Sequence, residues 1–180
     1  MASPPTATKS IPDYIQGMAA RLIDFYFGWE KHNRLLIAAI EPLNSEKLDL
    51  SAAPGLWSVR RLANHIVAVR SWWFNANMGE GQEELARFAD FDDVEDADTH
   101  DAKVIVEGLR STWSSMAGCL KKWTADDLGE QFQRPEPNRE GERPWRTRQY
   151  IVWHVAEHDV HHGGEISLTL GMHGLPGLDL

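Results

Sequence analysis

Near its C-terminus the chain reads YIVWHVAEHDVHHGGEISLTL, from Tyr150 to Leu170, and this stretch holds four of the eight histidines. Its apolar residues recur at intervals of three and four, which is the spacing of one buried helical face. They are Ile151, Val152, Val155, Ile166 and Leu170. The stretch is therefore predicted to be a long helix, with Thr147 as its N-cap and Gly171 at its end.

Three of these histidines fall four residues apart, at His154, His158 and His162. Side chains at that spacing lie one above the other on a helix, so two imidazoles can bind one divalent metal ion. His161 is expected to point about a quarter-turn away from this stripe. The same stripe is also typical of a polar seam or a subunit contact, and a metal site needs a ligand from elsewhere in the chain.

A second amphipathic stretch, VRRLANHIVAVRSWWFNANM, follows Ser58, a favourable N-cap residue, and is predicted to be a helix to about Asn77. His65 lies beside its apolar face, near the middle of the helix. A buried polar side chain there needs a partner, because leaving it unpaired costs free energy. Two interpretations remain open: His65 bonds a carbonyl or a carboxylate, or it is the third ligand of a metal site.

Two further helices complete the pattern. One is predicted from Pro12 to Ile40, and the other from a cap at Asp98 or Thr99 to about Trp123. Four long helices with one long connection predict an all-α protein, a four-helix bundle. The connection before the last helix, residues 124–146, is rich in Pro, Gly, Glu and Arg and can form a loose hairpin.

The expected domain organisation is a flexible N-terminal tail over residues 1–10, one bundle over 11–172 and a C-terminal tail over 173–180. Residues 44–53 are predicted to be a loop, and residues 79–98 an acidic loop with a helical turn at 82–88. The acidic run from Asp90 to Asp98 lacks the central glycine and final glutamate of a calcium-binding loop. It is therefore predicted to be solvated.

Composition narrows the classes of function. The formal net charge is −9, which argues against binding to a nucleic-acid backbone. No apolar run approaches the roughly 20 residues that span a membrane, and the N-terminus lacks the layout of a secretory signal. Cys119 is the single cysteine, so an intrachain disulfide is excluded, and a chain with one cysteine fits a cytoplasmic location. Because Cys119 is predicted to lie near a helix C-terminus, its thiol is expected to be unreactive.

Two of these motifs resemble the DinB-like family, the YfiT/DinB metalloenzyme superfamily. Trp57-Ser58, His65 and the pair Trp72-Trp73 are similar to its second helix. The segment His154-x3-His158-x3-His162-Gly-Gly-Glu-Ile is similar to its last helix, and the resemblance extends from the first helix to Leu170.

The resemblance implies a four-helix bundle that holds a divalent metal ion through His65, His158 and His162, and commonly a homodimer. It implies a pocket role for His154, one turn before the ligand pair. Two residues depart from the family pattern: Gly163 stands where Arg is frequent, and Glu165 where Gln is frequent.

Three neutral imidazoles leave a metal ion its full charge and an open position, which is typical of catalytic sites. Zn or Ni is favoured, and Fe, Mn and Co also accept imidazole. Glu165 and His154 are the candidate catalytic residues; Glu165 is preferred to Glu157 and Asp159, which flank His158 and are expected to point away.

Three functions follow for a small-molecule substrate. The favoured one, which the resemblance implies, is an S-transferase that uses a low-molecular-weight thiol as a second cofactor. The alternatives are a hydrolase that uses metal-bound water and a stress-response protein that binds metal without catalysis.

Overall fold

The computed structural model describes residues 20–93 and 97–179, and over these it is mostly helical with a small two-stranded sheet. The helices are α1 (Leu22–Phe25), α2 (Phe27–Ile40), α3 (Ser45–Leu48), α4 (Val59–Ser71), α5 (Gln82–Ala86), α6 (Ala102–Lys122) and α7 (Arg148–Met172). A π-helical segment, Trp72–Asn77, continues α4, and short 3₁₀ turns lie at Ala97–Thr99 and Ala125–Gly129. No helix within these residues is long and apolar enough to cross a membrane.

The N-caps predicted for the second and last long helices are confirmed. Ser58 Oγ accepts a hydrogen bond from the Arg61 amide at 3.2 Å, and α4 begins at the next residue. Thr147 Oγ1 accepts one from the Tyr150 amide, also at 3.2 Å, at the start of α7. Each hydroxyl satisfies an amide that has no partner within its own helix, which fixes where that helix begins.

The cap predicted for the third long helix at Asp98 or Thr99 is wrong. Asn64 on α4 donates a hydrogen bond to the Ala97 carbonyl at 2.7 Å, and residues 97–99 form a 3₁₀ turn. Helix α6 therefore begins later, with the Asp101 carboxylate accepting from the Val104 amide. A contact between distant segments moves this boundary.

The first long helix is interrupted. Residues 12–19 of the prediction lie outside the described residues, and Tyr26 separates α1 from α2 with a non-helical backbone. The Leu22 amide bonds to the Trp123 carbonyl at 3.0 Å, so α1 is tied to the end of α6. The predicted loop over 44–53 also contains a short helix, α3, because Asn44 caps it.

The connection before α7 forms the predicted hairpin. Strands β1 (Gln131–Gln133) and β2 (Trp145–Thr147) pair antiparallel, with Phe132 opposite Arg146. Arg148, the first residue of α7, pairs with Glu130 at 2.7 Å. The hairpin is thereby joined directly to the start of the last helix.

A buried ion pair joins α2, α4 and α7 in the core. Arg70 Nε donates to Asp159 Oδ2 at 2.8 Å, and both side chains are fully buried. Trp29 Nε1 donates to the same carboxylate oxygen at 2.6 Å, and Arg70 Nη1 donates to Asn33 at 2.8 Å. Apolar side chains from α2, α4, α6 and α7 surround this network.

The packing of α2 against α7 leaves no room for a side chain at Gly163. A Cβ atom at this position would lie 2.6 Å from the buried His32 ring. That ring is held in place, since its Nε2 bonds the Asp159 carbonyl oxygen at 3.0 Å. An arginine at this position, which the resemblance led us to expect, would therefore collide with His32.

Gly163→Ala is expected to lower the free energy of unfolding by about 1–3 kcal/mol, because the His32 ring has to move or lose its hydrogen bond. The measurement is urea unfolding of chelator-treated protein. Gly164→Ala is the matched control: no atom of the described residues lies within 4 Å of an added Cβ there, and alanine favours the helix by roughly 0.5–1 kcal/mol. Equal stability of the two variants would contradict the role given to His32.

Candidate metal centre

Helices α4 and α7 bring together the three histidines that were predicted from the sequence. His65 Nε2 lies 3.1 Å from His158 Nε2. The ring centre of His162 is 4.3 Å from that of His158 and 5.3 Å from that of His65. One nitrogen from each residue lies within 4.8 Å of the other two. The three rings form a compact, half-buried group of nitrogen donors.

Two carboxylates fix the orientation of two of the rings. Asp92 Oδ2 lies 2.5 Å from His65 Nδ1, and Glu165 Oε2 lies 2.6 Å from His162 Nδ1. An Nδ1–H that donates to a carboxylate leaves the Nε2 lone pair available, and histidines that bind metal commonly have such a partner. The prediction that the acidic run is solvated is wrong at Asp92, which is half-buried against His65.

The pKa of His158 lies far below the ordinary value for histidine. Burial, and then the nearby His162 and His65, lower its pKa to about 3. Burial also lowers the pKa of His162, against the opposing effect of Glu165. His158 Nδ1 is buried without a hydrogen-bond partner among the described residues. These neutral imidazoles disfavour a proton while keeping lone pairs free, so the donor set fits a divalent ion.

His154 lies beside this group but is not part of it. Its ring centre is 6.2 Å from that of His158, 4.9 Å from that of Trp73, and stacks on Tyr150 at 5.8 Å. Burial lowers its pKa, so it is neutral at physiological pH. His154 is not among the nitrogens that lie within 4.8 Å of one another, and its role as a catalytic residue stays a prediction.

A second group of possible ligands shares His162. His161 Nε2 and His162 Nδ1 lie 3.8 and 2.6 Å from Glu165 Oε2. His161 and Glu165 are exposed, whereas the members of the first group are all half-buried. The other two acidic candidates do not contact the three histidines in this way: Asp159 belongs to the buried ion pair, and Glu157 is exposed.

A cavity of about 330 Å³ lies beside the group, and His162 is the member that lines it. The Trp57 ring forms part of its wall, 5.0 Å from the His65 ring and 6.0 Å from the His162 ring, measured between centres. Among the described residues its lining is mainly apolar, with Glu165 as the one carboxylate: Ala52, Gly55, Leu56, Trp57, Leu62, His162, Glu165, Leu168 and Thr169. A small apolar molecule in this cavity would touch the His162 ring.

Cys119 lies apart from the centre, and burial, followed by the neighbouring Glu80, raises its pKa to about 12. The thiol is therefore protonated at physiological pH. This agrees with the expectation that the cysteine is unreactive, and it leaves the histidine group as the chemically distinctive part of the described structure.

The fold and the three converging histidines define a helical protein with a candidate divalent-metal centre between two helices. The sequence matches the DinB family over residues 18–177, and the chain belongs to that family. A crystal structure of a DinB-like protein from Bacillus cereus has a similar fold, with a TM-score of 0.64 and 22% sequence identity. The alignment covers 91% of this chain and 99% of the other. A search of curated proteins finds no significant match.

Asp92→Ala is expected to weaken zinc binding by roughly 10- to 100-fold, because His65 loses the carboxylate that orients it. The measurement is competition with a chromophoric chelator. Asp93→Ala provides the control, since Asp93 is the neighbouring acidic residue and is exposed. The same affinity for both variants would show that Asp92 does not support the centre.

The low pKa of His158 predicts a pH-dependent stability. The folded value of about 3 lies below the ordinary value of 6.5, so the unfolded chain takes up the proton first as the pH falls. The stabilisation is present above about pH 6.5 and is lost towards pH 3. His158→Gln should therefore lose less stability than wild type when chelator-treated protein is moved from about pH 7 to pH 5.

Urea unfolding at the two pH values measures this difference. His161→Gln is the control, because His161 is an exposed neighbour on the same helix. It should retain the wild-type dependence, and an identical loss of stability in all three proteins would rule out the assigned contribution of His158.

Proposed function

We propose that this protein is a metal-dependent enzyme, most specifically an S-transferase that uses a low-molecular-weight thiol. The observation that carries the proposal is the convergence of three imidazole nitrogens within 4.8 Å of one another, next to an apolar cavity that His162 lines. His65, His158 and His162 would hold the ion, and zinc and nickel suit this donor set best. When bound, such an ion supplies positive charge that favours a thiolate over a thiol.

The surrounding residues hold the reactants. Asp92 and Glu165 keep two rings oriented, so Glu165 is a positioning residue in this proposal. Trp57 and the leucines of the cavity accept an apolar electrophile and exclude water from it. His154, neutral and one turn from His158, accepts the proton that the thiol releases.

In the transfer step the thiolate sulfur forms a bond to an electrophilic carbon of the substrate. The bond from that carbon to its leaving group breaks, and the leaving group departs with the electron pair. His154 can then return the proton to it. Atoms and charge balance in this step, and the reaction needs no oxidant or reductant.

Hydrolysis is the second candidate, with water in place of the thiol. The same three histidines would serve it, since a divalent ion also lowers the pKa of water. We prefer thiol transfer, because the cavity is mainly apolar and, among the described residues, its one carboxylate, Glu165, accepts a hydrogen bond from His162 through Oε2. A protein that binds metal without catalysis is the third candidate, and activity assays distinguish it.

We also propose that the long helices form the four-helix bundle of the DinB-like family.

We further propose that the protein is a homodimer. Several large apolar side chains are exposed along one side of α7, and they offer a surface for a second copy. They are Trp153, Val160 and Met172, each 55–61% exposed. Sedimentation velocity of wild type and Val160→Glu would show whether a dimer forms through this surface.

Metal content provides the direct test. After loading with zinc and removal of excess, wild type should retain about one ion per chain, and His65→Ala or His158→Ala should retain almost none. His161→Ala is the matched control and should retain the ion. Loss in His161→Ala, with retention in His65→Ala, would instead place the ion at the exposed group of His161, His162 and Glu165.

Activity is tested with the zinc-loaded protein, a panel of small thiols and 1-chloro-2,4-dinitrobenzene as the electrophile. Thioether formation should depend on the ion and fall at least tenfold in His154→Gln, which retains zinc. Ester hydrolysis without thioether formation would support the hydrolase instead. If neither reaction is observed with any thiol of the panel, the non-catalytic function is favoured.

A further inference from the structure

A group of aromatic rings and arginines lies on the side of the centre away from the apolar cavity. The rings come from the π-helical segment and the first turns of α7, and the arginines come from the hairpin connection and β2. We call these residues the arginine–aromatic cluster: Trp72, Trp73, Arg134, Arg146, Tyr150 and His154.

Both arginines rest on aromatic faces. The Arg134 guanidinium lies 4.4 Å from the ring centre of Trp72 and 6.0 Å from that of Trp73. The Arg146 guanidinium lies 4.8 Å from the ring centre of Tyr150. Contact with a ring face holds a guanidinium in place while its N–H groups stay available at the edge.

Neither charge is neutralised. Among residues 20–93 and 97–179, no carboxylate lies within ion-pair distance of Arg134 or Arg146, although the chain as a whole carries a net charge of −9. Each donates to one carbonyl: Arg134 Nε to Glu136 at 3.0 Å, and Arg146 Nη1 to Trp145 at 3.2 Å. A guanidinium has five N–H donors, so most of them are free for a ligand.

The cluster reaches the candidate metal centre through His154. The His154 ring contacts both Trp73 and Tyr150, at 4.9 and 5.8 Å between ring centres, and is 6.2 Å from the His158 ring. A molecule bound on these rings would therefore have one end close to the three histidines. The apolar cavity, lined by Trp57 and Glu165, reaches the centre at His162, two turns further along α7 than His154.

We propose that the arginine–aromatic cluster is a binding subsite for a small organic carboxylate. The guanidinium groups bind the carboxylate, and the rings bind the planar or apolar part of the molecule. The two sides of the centre then differ in charge preference: the cluster takes the anionic reactant, and the cavity with Glu165 takes the uncharged one. This division of the reactants rests on the proposed function, whereas binding to the cluster does not require a metal ion.

Isothermal titration of chelator-treated protein with 2-naphthoate tests the subsite, and the uncharged 2-naphthamide is the matched ligand. Naphthoate should bind at least about tenfold more tightly than naphthamide, as a charge-assisted hydrogen bond implies. Arg134→Gln and Arg146→Gln should each remove most of this preference. Arg134→Lys keeps the charge and should retain part of it.

Arg61→Gln is the control variant, because the Arg61 guanidinium also rests on a ring, 4.5 Å from the centre of Trp57, but on the other side of the centre. It should bind naphthoate as wild type does. Equal binding of the two ligands, or an equal loss in Arg61→Gln, would overturn the proposal. Naphthoate binding that persists in His65→Ala would support the subsite even if the metal centre failed, so the two proposals are tested separately.

Discussion

The buried pair of Arg70 and Asp159 is the interaction on which the position of the site depends. Arg70 lies five residues after His65 on α4, and Asp159 follows His158 on α7. Their contact fixes the position of α4 along α7, and the rotation of each helix about its axis, at the level of the histidines. Because breaking a buried ion pair leaves an unpaired charge and costs about 3–5 kcal/mol, this register is strongly preferred over its alternatives.

The same carboxylate also organises α2. Trp29 donates to it, and the neighbouring Asp159 carbonyl accepts from His32, whose ring lies against Gly163. Packing of α2 is thus coupled to the part of α7 that carries His158 and His162. The histidines lie on the two helices that this polar network joins, so the network holds their rings close together.

Features that depend on local spacing could be predicted from the sequence. The helical class, the caps Ser58 and Thr147 and the proximity of His158 to His162 follow from neighbouring residues alone. Placing His65 beside them required the family resemblance, because spacing within α4 gives no information about which helix it faces.

The features that were missed depend on contacts between distant segments. Asp92 reaches His65 across 27 residues, and no local pattern separates it from the other acidic residues around it. The late start of α6 depends on the bond from Asn64 to Ala97. The fit of Gly163 against His32 likewise depends on how two helices pack.

The two carboxylates that orient the rings belong to different kinds of structure. Glu165 is three residues from His162 on the same helix, whereas Asp92 lies in the connection between α5 and α6. A ligand that binds His65 more tightly when Asp92 contacts the ring must also stabilise that contact. By thermodynamic linkage, a change that stabilises the contact raises the affinity for the ligand by the same factor. The acidic connection is therefore a place where changes in sequence can adjust affinity at the centre without altering the helices that build it.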